Sequence, residues 1–123
     1  MGDLTINFSR REFECKGKNC CSNTAALDML LVYRLQELRT KIGKPLRVCS
    51  GFRCKTHNRS VGSDDNSQHV LGYAADILPP EGMTPDELAK IAENMGVSKW
   101  GGIGIYNTFV HFDIRETISR WRG

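Results

Sequence analysis

The sequence predicts an α+β domain, a small antiparallel sheet with helices packed against one of its faces. Three observations lead there. Leu27, Leu30, Leu31, Leu35, Leu38 and Ile42 recur at helical spacing, which marks one amphipathic helix. Thr84-Pro85-Asp86-Glu87 forms a capping box with proline at the first helical position, which marks a second. Short runs of strand character complete the set, and Gly102–Tyr106 and Phe109–Ile114 flank Asn107-Thr108 as a hairpin. A chain of 123 residues can bury one core, so residues 1–123 are read as a single domain with 1–21 as an N-terminal arm.

In chain order, Asn7–Phe13 reads as a turn or helical start whose Phe8 and Phe13 anchor the arm. Ser22, Asn23 or Thr24 is expected to cap the first helix. Gly43 fits the position just past its end, and Pro45 prevents continuation. Met29 and Tyr33 are expected to pack. Leu46–Ser50 is a strand candidate leading into Gly51-Phe52-Arg53, and Cys54–Val61 a helical turn ending near Gly62. Ser63-Asp64-Asp65-Asn66 reads as a solvated loop, and Tyr73–Leu78 as a second strand closed by Pro79-Pro80. The second helix runs to about Met95, before Gly96. Alternation in the last strand turns Val110, Phe112 and Ile114 to one side and Phe109, His111 and Asp113 to the other.

Hydrophobic content of 40% and charged content of 25% are ordinary for a globular protein. No apolar run approaches the ~20 residues that cross a bilayer, so no membrane insertion is expected. The N-terminus lacks a basic start followed by an apolar stretch, so the expectation is a chain that is cytoplasmic as synthesised, or equally one whose leader has been removed. The net charge of +3 is uneven: residues 1–60 hold 12 Lys/Arg against 5 Asp/Glu, and residues 61–123 hold 5 against 9. A basic half attracts acidic polymers. No Lys/Arg run with interleaved aromatics is present, so nucleic acid is not the expected partner. Five cysteines, Cys15, Cys20, Cys21, Cys49 and Cys54, lack the C-x2-C spacing of thiolate zinc sites. Reduced structural thiols are favoured, with a disulfide in an oxidising setting as the alternative. A monomer is expected.

The candidate site lies in Ser67-Gln68-His69-Val70-Leu71-Gly72-Tyr73-Ala74-Ala75-Asp76 together with His111. Two imidazoles and one carboxylate form a donor set of the kind zinc enzymes use, although manganese or iron suits the same set. The small residues Gly72, Ala74 and Ala75 let the strand bearing Asp76 run close to its neighbours. His57 reads as structural or as part of a rim.

Ser67, His69, Gly72, Ala74 and Asp76 match an S-x-H-x-x-G-x-A-x-D signature. In this the chain resembles the zinc D-alanyl-D-alanine carboxypeptidases and peptidoglycan endopeptidases. That group includes phage L-alanyl-D-glutamate endolysins and is structurally related to the Hedgehog signalling domain. Ser50-Gly51-Phe52-Arg53 resembles the family's S-G-x-R turn, and His111 stands where its last zinc ligand is expected. The likeness runs from about Leu27 to Ile114.

The resemblance implies a zinc peptidase acting on peptidoglycan stem peptides, with His69, Asp76 and His111 as ligands. It gives Arg53 a substrate carboxylate or a developing oxyanion to bind, a task suited to a planar guanidinium. Ser67 joins it as a substrate-binding candidate. The acidic or histidine residue that many members place just before the last ligand is replaced by Thr108 and Phe109. Asp113 is therefore a candidate general base, with a second role open to it as acceptor for a ligand histidine or Arg53. The small size and the lack of a leader point to a phage or prophage lysis protein that reaches the wall after release, or to a phage-tail component. The rival reading is a zinc-containing module that binds wall peptide or protein without hydrolysing it. A cysteine-based metal or redox protein is a third class.

Overall fold

Five short strands form one sheet in the computed structural model, which describes residues 2–17, 27–63, 67–95 and 100–123. The strands are β1 (Arg47–Ser50), β2 (Ala74–Leu78), β3 (Gly102–Ile105), β4 (Val110–Asp113) and β5 (Ser119–Arg122), in spatial order β1-β2-β4-β3-β5. The first four pair antiparallel, as the sequence predicts. The fifth, which sequence patterning did not reveal, adds parallel to β3 and makes the sheet mixed. Tyr106 N–H donates to the Phe109 carbonyl at 3.0 Å, closing the expected two-residue turn between β3 and β4.

Helix α1 (Met29–Ile42) starts at Asp28, whose carboxylate accepts the Leu30 N–H at 2.9 Å. The expected caps Ser22, Asn23 and Thr24 lie outside the described residues. The helix stops where the sequence places the stop. Gly43 takes φ 74° and donates its N–H to the Arg39 carbonyl. Leu31, Val32, Leu35 and Leu38 are buried. Tyr33 is 55% exposed, which corrects its expected packing role: it falls off the buried stripe. Helix α2 (Lys55–Ser60) is short and follows the Arg53 turn. Helix α3 (Pro85–Glu93) carries the reciprocal Thr84–Glu87 capping box and buries Leu88, Ala89 and Ala92.

The core fills the space between α1, α3 and one face of the sheet, where Val48, Ala75, Ile77, Ile103, Val110 and Phe112 meet the helical leucines. Each large apolar side chain buried there stabilises the fold by about 1.5–3 kcal/mol. Phe8 and Phe13 join it fully buried, so the arm is anchored as expected through a 3-10 turn at Arg10–Phe13. The Phe52 N–H donates to the Phe13 carbonyl at 2.8 Å, tying the arm to the turn that carries Arg53.

Register aligns the opposite face. Ser50 pairs with Asp76, Asp76 with His111, His111 with Gly104, and Gly104 with Trp121, one row across all five strands. The next row aligns Ala74, Asp113, Gly102 and Ser119. The candidate ligands Asp76 and His111 are thus fixed by a sheet whose other face is packed core.

Candidate metal centre

His69 reaches the sheet from a loop. Its N–H donates to Ser67 Oγ at 3.2 Å, and Gly72, at φ 76°, turns the chain back so that its N–H meets the His69 carbonyl. These two bonds present the imidazole to Asp76 on β2 and His111 on β4. His69 Nε2 lies 3.2 Å and His111 Nδ1 3.1 Å from Asp76 Oδ1. One donor atom from each of the three residues falls within 4.8 Å of the others, and all three residues are buried. The structure brings the three ligand candidates together.

The donor set fits a metal in detail. Gly51 carbonyl oxygen sits 2.7 Å from His69 Nδ1, which places the proton on Nδ1 and leaves Nε2 as the free donor. Asp113 Oδ2 sits 2.8 Å from His111 Nε2, leaving Nδ1 free in the same sense. Each imidazole is therefore oriented from behind, the arrangement that fixes tautomer and ring direction in metal sites. Burial pushes the Asp76 carboxyl up, but hydrogen bonds from His111 and His69 outweigh it and hold the group well below the usual carboxylate range. Burial pushes His111 down, and its bonds to Asp113 and Asp76 outweigh that and raise it. A metal at Nδ1 would take the place of that second ring proton.

Asp113 is fully buried and each of its oxygens is engaged. Oδ1 accepts the Gly102 N–H at 2.7 Å and the Arg115 N–H at 3.1 Å, while Oδ2 faces His111 and Arg115 Nη2. Of the two roles open to Asp113, this geometry favours acceptor for a ligand histidine. The adjoining cavity, about 450 Å³, is lined by Arg53, Ser67, His69, Asp76, His111, Tyr106, Arg115 and Trp121 among others, and not by Asp113. Burial pushes the Asp113 carboxyl up, and bonds to His111 and Arg115 outweigh this and hold it low.

Arg53 stands beside Asp76 with its Nη2 3.2 Å from Oδ2. Its Nε donates to Ser50 Oγ and its Nη1 to Asn58 Oδ1 and Ser63 Oγ. His57 lies in α2 and does not line the cavity. Cys15 and Cys54 bring their sulfurs to 3.8 Å, and Cys49 Sγ meets the Asp76 carbonyl at 3.3 Å. Cys20, Cys21, Asp64 and Asp65 lie outside the described residues.

The sequence reading missed Arg115 and Trp121. Arg115 continues the alternation of Phe109, His111 and Asp113, which was the available signal. Trp121 comes from the unexpected β5, and its ring centroid is 5.2 Å from that of His111. Gly104 makes the approach possible, because a Cβ there would enter the Trp121 ring. Gly102 does the same for the Asp113 carboxylate.

Comparison with known proteins agrees with this geometry. The family model described as Peptidase M15 matches residues 6–113. A protein of Streptomyces albus G, "Zinc D-Ala-D-Ala carboxypeptidase", is 36% identical over 107 residues, covering 80% of this chain. The chain spans 41% of that relative's length.

Proposed function

The chain belongs to the peptidase M15 family, and on that premise we propose that it is a zinc metallopeptidase hydrolysing an amide bond in peptidoglycan stem peptides. The observation that carries this reading is the convergence of His69 Nε2, Asp76 Oδ1 and His111 Nδ1 at the wall of an open cavity. The carboxypeptidase named for the Streptomyces relative supports the same chemistry. Carboxypeptidase and endopeptidase are the two forms the activity takes. The finer reading is an endolysin of phage type, made in the cytoplasm and released onto the wall, where the basic half of the chain draws it to an acidic polymer.

His69, Asp76 and His111 would hold the zinc, which when bound would supply Lewis acidity for the scissile carbonyl and lower the pKa of a water. The Gly51 carbonyl and Asp113 keep the two imidazoles in the ligating tautomer. Asp113 is thus a positioning residue and not the base. Arg53 holds the Asp76 carboxylate and keeps one N–H for an oxyanion. Ser67 shapes the His69 loop and lines the cavity.

A second reading is a wall-peptide binding module without hydrolysis. One observation favours it: among the described residues, Asp76 is the one carboxylate that lines the cavity. Mass spectrometry of purified wall peptides incubated with zinc-loaded protein separates the two. New fragments with the wild type and none with His111→Ala establish the peptidase. Intact peptides from several wall types, with one zinc bound per chain, establish the binding module.

A further inference from the structure

Among the described residues, Cys15, Cys49 and Cys54 carry thiols, and they are placed differently. Cys49, on β1, points its Sγ at the Asp76 carbonyl, 3.3 Å away. Cys15 and Cys54 face each other, with their sulfurs 3.8 Å apart although 39 positions separate them in the chain. The backbone explains the meeting. The arm and the turn after β1 lie side by side: the Phe52 N–H donates to the Phe13 carbonyl at 2.8 Å, and a Cβ on Gly51 would come within 2.7 Å of the Phe13 Cα. Two residues further along each segment stand Cys15 and Cys54. Their burial differs. Cys15 is 5% exposed, whereas Cys54 is half-buried, with its Sγ accepting the His57 backbone N–H at 3.4 Å.

We infer that Cys15 and Cys54 are a redox pair, which a disulfide oxidant such as oxidised glutathione converts into a crosslink stapling the N-terminal arm to the Arg53 turn. The step balances as two thiol–disulfide exchanges. Cys54, the sulfur that an oxidant reaches, attacks one sulfur of glutathione disulfide; the mixed disulfide forms and one glutathione leaves. Cys15 then attacks the Cys54 sulfur from the buried side; the Cys15–Cys54 bond forms and the second glutathione leaves. The two cysteines give up two electrons and two protons, and the departing glutathiones take them. Folding has already brought the sulfurs together, which favours the second exchange. They close from 3.8 Å to about 2.0 Å. The crosslink bears on the metal centre through the turn it fixes, because the Gly51 carbonyl orients His69 and Arg53 pairs with Asp76. It also closes a long loop, which removes conformations from the unfolded chain and makes the oxidised protein the more stable form. The staple forms when the chain passes from a reducing to an oxidising compartment. It needs neither the zinc nor the substrate of the peptidase reading.

The test starts from reduced protein loaded with one equivalent of zinc. It is incubated with oxidised glutathione, quenched in acid, alkylated and cut with trypsin for mass spectrometry. Cutting after Lys and Arg places Cys15 in residues 12–16, Cys49 in 48–53 and Cys54 in 54–55, with Cys20 and Cys21 together in 19–34. The expected product is 12–16 joined to 54–55, with Cys49 still alkylated as a thiol. The thermal midpoint of the oxidised protein is expected about 10 °C above that of the reduced protein. Cys54→Ser, whose hydroxyl keeps a cap on α2, is expected to fold, to keep its zinc and to show no such rise. Crosslinks that join Cys15 or Cys54 to Cys20, Cys21 or Cys49 instead overturn the inference. So does a pair that resists the oxidant; if a chelator restores the reaction, a thiolate-bound metal holds both sulfurs. A midpoint unchanged by the crosslink overturns the stapling role. Each of these failures leaves the wall-peptide digestion test unaffected, so the two readings fall separately.

Discussion

Each of the two candidate histidine ligands has its second ring nitrogen occupied, His69 by the Gly51 carbonyl and His111 by Asp113. Metal affinity should therefore depend on residues that never touch the ion. Asp113→Asn should keep the fold and weaken zinc binding by about 10–100-fold, measured by competition with a chelator. Unchanged affinity with turnover abolished would instead return Asp113 to the role of base. Asp76 is buried, and Arg53, 13% exposed at the cavity, is the cation paired with it. Arg53→Gln should cost the metal-free protein about 3–5 kcal/mol, the loss expected when a buried partner is removed. The loss should be smaller with zinc bound, because the cation then faces the same carboxylate. Thermal melts with and without chelator compare the two, and equal losses would contradict that role. The grouping of His69, Asp76 and His111 was legible as a candidate because two of them share one motif at fixed spacing and the third follows in the expected order, and Arg53 stood out in its own short turn motif. Arg115 was not legible, because its place at the cavity depends on its pairing with Asp113 and on Trp121 from β5, and those are three-dimensional facts.

At the level of elements, the glycines of β3 separate backbone effects from site effects. Gly102→Ala would press a Cβ into the Asp113 carboxylate. It should cost about 1–3 kcal/mol of stability and lower zinc affinity as well. Gly43→Ala, at φ 74° with open space around it, should cost about 1–2 kcal/mol through backbone strain alone and leave zinc affinity unchanged. Chemical denaturation and zinc titration of the two variants check the contrast; zinc loss in both would remove it. Local signals announced most elements: the Gly43 stop, the Thr84–Glu87 capping box and the Asn107-Thr108 turn each act within a few residues. The start of α1 was misread because the leucine pattern begins before the cap, and Asp28 sets the start. Strand β5 was illegible for a different reason. Ser119-Arg120-Trp121-Arg122 has no apolar face for the core, and its place is made by the missing side chain of Gly104.

For the molecule as a whole, the helices, the core and the N-terminal arm stabilise one face of the sheet so that the other can gather polar groups. That second face is costly without a metal, since it buries Asp76 and Asp113 among histidines and arginines. Zinc should stabilise the entire fold by mass action, by about 2.7 kcal/mol at a hundredfold excess over its dissociation constant. No helix among the described residues is long and apolar enough to cross a membrane. The central claim is that one zinc sits between His69, Asp76 and His111. Crystals of the zinc-loaded protein, with anomalous diffraction recorded on both sides of the zinc edge, test it most directly. The expected result is a single strong peak about 2.0–2.2 Å from His69 Nε2, His111 Nδ1 and an Asp76 oxygen. A peak at the Cys15 and Cys54 sulfurs, with none between the histidines, would contradict it and make the chain a thiolate metal protein.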